Sequence, residues 1–127
     1  ARERRPLVVI TTNEERALPD AFLRRCLVLH LALPIEREAL IEELVSRGRA
    51  HFDECSVAVL RAAAELLAED RKTMRDRDLS PPGLAEYIDL LHAVTEQCTS
   101  KTEEEQIGLL RRIAKFALRK HPPELVG

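Results

Sequence analysis

Apolar residues in this chain fall into two kinds of pattern, and the change from one to the other comes near Pro34. Residues 7–12, "LVVITT", are β-branched and apolar without alternation, the pattern of a strand covered on both faces as in a parallel sheet. "CLVLHLAL", residues 26–33, reads the same way. Between them "NEERALPDAFLRR" offers Pro19 and Asp20 as the start of a short helix. Strand, short helix and strand make the compact crossover of α/β architecture. Two strands cannot form a doubly covered sheet, so these two call for partners outside the chain.

From Ile35 onward the period is helical. Leu40, Ile41, Leu44 and Val45 share one face of a helix over about 36–49 that ends near Gly48. Val57, Leu60, Ala64 and Leu67 mark a second, over about 56–69. Residues 69–78, "EDRKTMRDRD", read as an exposed charged link. Ser80 and Pro81 offer an N-cap and a first-turn proline for a third helix, with Leu84, Ile88, Leu91 and Val94 or Thr95 on its buried stripe. Thr102 and Glu105 form a capping-box pattern ahead of a fourth, whose apolar face is Ile107, Leu110, Ala114 and Ala117. Tyr87 reads as a helix-face residue with a solvated hydroxyl.

The 127 residues suffice for one domain or two small pieces of a larger one. Apolar residues at 45% and charged residues at 33% place the chain among globular proteins. A formal charge of −2 argues against a dedicated nucleic-acid binder, and 3% aromatics leave little to stack on bases. No apolar run approaches the roughly 18 residues of a membrane span. Cys26, Cys55 and Cys98 are odd in number and far apart, which reads as buried free thiols in a reducing cytoplasm. His30 reads as a core histidine, and His51, His92 and His121 lack ligand spacing for a metal. The acids at 103–105 read as a dipole-favoured helix start. The sole methionine is Met74, which fits either a start inside a longer protein or a removed initiator methionine.

Candidate chemistry gathers at the opening stretch. In α/β sheets, ligands sit at the carboxyl ends of strands, where Thr12 and Asn13 fall. An Asn amide can donate to a phosphate oxygen and accept from a water, and so orient an attacking water. Arg24 and Arg25 follow one helix later, with planar donors suited to charge on a transferring phosphoryl group. Taken alone, Asn13 reads first as a turn residue at a strand end, and the two arginines as a solvated helix end.

Together these residues resemble the second half of the nucleotide-binding domain of AAA+ ATPases, most nearly the MoxR type. Those proteins carry an apolar strand ending in a sensor-1 Asn, then "LP-x-A", an arginine finger just before the next strand, a proline, and an all-helical lid. The resemblance covers the opening third in motif detail and the remainder in architecture. It implies a mainly α chain: a two-strand remnant of a parallel α/β AAA+ core over 1–34, then a four-helix lid domain over 35–127. Asn13 would be sensor 1. Arg25 would be the finger, acting on ATP held by a neighbouring subunit of a homo-oligomeric ring, with Arg24 as the other candidate because it replaces an acid common there. Leu84 stands where a sensor-2 arginine is expected, so that contact is either absent or moved to Arg75 or Arg77. Thr12, Asn13, Arg75 and Arg77 are thus the candidate nucleotide contacts.

None of the four glycines opens a G-x-x-x-x-G-K-[ST] loop, and no predicted strand ends in paired acids for Mg²⁺. The resemblance therefore implies ATP and Mg²⁺ for a longer parent carrying an upstream AAA+ core, and no cofactor for this chain alone. The parent would be a cytoplasmic, chaperone-like motor acting on a protein substrate, with no nucleic acid and no membrane. Two further expectations stand beside it. One is a non-enzymatic helical protein-interaction module; the other is a clamp-loader relative, which shares the Arg-Cys pair and which the near-neutral charge disfavours.

Overall fold

The computed structural model describes residues 5–12, 16–97 and 101–118. Among them the secondary structure is helical: α1 (Asp20–Leu23), α2 (Arg37–His51), α3 (Val57–Arg75), α4 (Leu84–Gln97) and α5 (Glu103–Ala117). The chain divides into two compact units, Ala1–Leu31 and Ala32–Gly127.

In the first unit α1 is a single turn. The Phe22 and Leu23 N–H groups donate to the Pro19 carbonyl at 2.9 and 3.1 Å, and Arg24 N–H donates to Asp20 at 3.0 Å. The expected strands over 7–12 and 26–33 are not formed, and no strand occurs among the described residues. Leu7 is 90% exposed and Leu27 fully so. A strand is stabilised by its ladder and by cover on its faces, and neither is present for these two segments. Apolar β-branched sequence supplies the propensity and no more.

The second unit is built around α3, which packs against α2, α4 and α5, while α4 also packs on α5 and α2. Ile41, Leu44, Leu60, Leu67, Leu90, Leu91, Val94 and Leu110 are fully buried in one core. The helix starts are made locally. The Glu36 carboxylate accepts the N–H groups of Glu38 (3.0 Å) and Ala39 (2.7 Å), which holds its carboxyl below the usual range. Ser56 Oγ accepts from Val59 at 3.3 Å. The Thr102–Glu105 capping box is present, with both reciprocal bonds made.

Several expectations for these helices are corrected. Residues 69–75 are the last two turns of α3 and not a link. Glu, Arg, Lys and Met are strong helix formers, no Gly or Pro interrupts them, and Met74 is buried two turns after Leu67. The helix closes on Asp78, which takes a left-handed φ of 53°. The Leu79 N–H reaches the Met74 carbonyl at 2.9 Å and the Asp78 N–H reaches Arg75 at 3.1 Å, the two bonds of a Schellman ending. Ser80 and Pro81 do not begin α4; the Glu86 carboxylate reaches back to the Gly83 N–H at 2.8 Å and the helix starts at Leu84. Val57 lies on the outside of α3 and is exposed.

Gly48 does not end α2, which continues to His51. It is buried where α2 meets α3 and α4, and a Cβ there would stand 2.7 Å from Tyr87 Oη and 2.9 Å from Leu60 Cδ2. Tyr87 itself is completely buried, so the expected wet hydroxyl is overturned. Its Oη donates to the Leu60 carbonyl at 3.1 Å. Burial, with a smaller contribution from nearby Cys55, pushes the phenol far above its ordinary value. The buried stripe of α4 is consequently Tyr87, Leu90, Leu91 and Val94, turned from the one expected; Leu84 and Ile88 are only partly buried.

Candidate functional site

The residues singled out from sequence fall into both units. In the first, Thr12 is exposed at the end of the apolar segment, and Asn13 lies outside the described residues. Arg24 and Arg25 are adjacent and exposed where α1 ends; the Arg25 N–H donates to the Phe22 carbonyl at 3.0 Å and Cys26 to Leu23 at 3.1 Å. Their side chains are thus presented to solvent by one helical turn. Cys26 is an exposed free thiol and Cys55 a half-buried one whose pKa is raised by burial, so the thiols are not both core residues. Cys98 and His121 lie outside the described residues. His30 is exposed, not in a core.

In the second unit, Arg75 is the last residue of α3 and Arg77 lies two residues on, in the closing turn; both are exposed. Arg75 lines a cavity of about 250 Å³ between the start of α2 and the end of α3. Ile35, Arg37 and Leu40 form one side; Ala68, Glu69, Arg71, Lys72, Arg75 and Asp76 form the other. Four cations meet two carboxylates around an apolar floor.

Arg71 is the residue that sequence reading missed here. It sits one turn before Arg75 on the same face of α3, the i, i+4 spacing that brings side chains together. The signal was present in "RKTMR", and taking that stretch for a link concealed it. Arg71 Nη1 donates to the Pro82 carbonyl just ahead of α4, while its Nε is buried with no hydrogen-bond partner. Burial first, and the Arg75 charge second, lower the pKa of its guanidinium.

A second, wider depression of about 390 Å³ is lined by Glu42, Val45, Ser46, Arg49, Val57 and Arg61. Of its two cations, Arg61 is already engaged, by Glu38 at 3.0 Å and Glu65 at 3.2 Å, which leaves Arg49 beside the Glu42 carboxylate. It offers less unmet chemistry than the basic pocket.

Among the described residues no group of three or more His, Cys, Asp and Glu could hold a metal ion. Glu69 and Asp76 share their pocket with four cations, an arrangement that suits an anion and does not fit Mg²⁺. No helix of the described residues is long and apolar enough to cross a membrane. Compared with known protein families, characterised proteins and solved structures, the chain has no match in any of the three.

Proposed function

We propose that this chain is the carboxyl-terminal portion of a MoxR-type AAA+ ATPase, a ring-forming motor that remodels partner proteins. One observation carries the reading: the order, within residues 7–34, of an apolar segment, Asn13, "LPDA", Arg24 and Arg25, a second apolar segment and Pro34, ahead of a four-helix unit. On this reading Asn13 positions the attacking water. Arg25, or Arg24 beside it, reaches across a subunit boundary to the charge developing on the γ-phosphate. The exposure of both arginines at the end of α1 is compatible with that reach. The uncovered segments over 7–12 and 26–33 would gain their ladder and cover from the rest of a parallel sheet. The helical unit would serve as a lid moving with nucleotide state, and Arg75 or Arg77 would take the sensor-2 role that Leu84 cannot fill.

The test has two stages. The open reading frame is expected to encode a phosphate loop and an acid pair ahead of Ala1. In its full-length product, Arg25→Ala is expected to lower ATP turnover by about 10³-fold or more while ATP binding persists. Normal turnover in both Arg25→Ala and Arg24→Ala removes the finger role. A reading frame with no phosphate loop leaves the helical unit as a non-enzymatic interaction module instead.

A further inference from the structure

We propose that the basic pocket between the start of α2 and the end of α3 binds the phosphate group of a small phosphomonoester, with the apolar part of that molecule lying on Ile35, Leu40 and Ala68. The inference stands on this pocket and not on the ATPase reading.

Three features carry it. Arg37, Arg71, Lys72 and Arg75 against Glu69 and Asp76 leave an excess of two positive charges, which one phosphomonoester dianion balances. Secondly, Arg71 Nε is a buried donor with no acceptor. Buried polar groups in folded proteins are as a rule hydrogen-bonded, so this donor calls for an oxygen from outside the chain. The Pro82 carbonyl already holds Nη1 and so fixes the guanidinium, leaving a rigid planar donor of the kind that recognises phosphate. Thirdly, Ile35 is 82% exposed at the pocket rim although it is strongly apolar. A cavity of about 250 Å³ has room for roughly eight waters by volume, more than a bare phosphate fills. The helix start contributes little on its own account, because the Glu36 carboxylate already occupies the Glu38 and Ala39 amides.

Isothermal titration and amide chemical-shift mapping on the 127-residue chain test this, with inorganic phosphate and phenyl phosphate as probes. Saturable binding is expected for both, tighter for phenyl phosphate, with shifts centred on Arg37, Arg71, Lys72 and Arg75. Lys72 and Arg75 are exposed, so Lys72→Gln and Arg75→Gln should leave the helical circular dichroism intact. Each should weaken binding about tenfold, the fold-change of one charge-assisted hydrogen bond. Arg111→Gln on α5, outside the pocket, should bind as the parent does. Absence of saturable binding overturns the proposal. So does an equal loss in Arg111→Gln, or phenyl phosphate binding no tighter than inorganic phosphate. The ATPase reading is decided separately, by the reading frame and by turnover in the Arg24 and Arg25 variants.

Discussion

Gly48 and Tyr87 occupy one another's space: the hydrogen on Gly48 leaves the room that Tyr87 Oη fills, and a Cβ there would approach that oxygen to 2.7 Å. The phenol cannot swing away freely, because it is bonded to the Leu60 carbonyl and its ring is fully enclosed. Helix propensity favours alanine at position 48 by about 1 kcal/mol. Overpacking of a rigid core costs about 1–3 kcal/mol and acts against it. Gly48→Ala is therefore expected to lower the urea midpoint despite the better helix former. In a Tyr87→Phe background, which removes the nearest atom, the same substitution should cost less; equal or higher stability of Gly48→Ala alone would refute the close approach.

Tyr87 should also make stability depend on alkaline pH. Its folded pKa lies above the unfolded value of about 10, so the neutral phenol is favoured by folding. That contribution is complete below pH 10 and is lost as pH rises towards the folded pKa. Tyr87 is the only tyrosine, so tyrosinate absorbance reports on it without ambiguity. The expected titration midpoint lies well above 10 and coincides with loss of helix. Tyr87→Phe should flatten the fall in stability above pH 10, while losing about 1 kcal/mol at neutral pH with its hydrogen bond.

Glu36 gives the opposite dependence. Its carboxyl is held below the ordinary value by the Ala39 amide first and the Glu38 amide second. A depressed carboxylate contributes stability above its unfolded pKa and loses it as pH falls through the folded one. Glu36→Ala is expected to lower the melting temperature at pH 7 and to melt more nearly like the parent chain near pH 3. A constant difference across that range would show that the side chain acts without its charge.

Asp78 closes α3 with a left-handed backbone that glycine adopts without steric cost. Asp78→Gly should raise stability by roughly 0.5–1 kcal/mol, read as a higher urea midpoint with an unchanged slope. A lower midpoint would mean that the Asp78 side chain contributes more than its backbone strain costs.

The helical unit was largely legible in the sequence. Four helices follow from apolar spacing, and the Thr102–Glu105 box marks the start of α5. The departures share a cause: a residue's own chemistry suggests one role, and its neighbours decide another. "EDRKTMRDRD" is charged enough to look like a link, yet Met74 at its centre is buried and seven of its residues extend α3. Gly48 looks like a stop signal and is a contact point; Tyr87 looks amphipathic and is wholly interior because that glycine makes room. The candidate site divides in the same way. Arg24 and Arg25 are found by their order along the chain, whereas Arg71 becomes visible only when helix and pocket are both known. The apolar segments near the start show the limit of local pattern, since a sheet is made by neighbours that no single strand encodes.

Those two uncovered segments carry a cost when the chain is handled by itself. Apolar and exposed over residues 7–10 and 27–29, with β-branched Val8, Val9, Ile10 and Val28 among them, they have the composition of templates for cross-β pairing between molecules. The purified chain should form aggregates as its concentration rises, beginning from these segments while the four-helix unit stays native. A lysine in place of Val9 or Leu29 would act as a gatekeeper and delay that process.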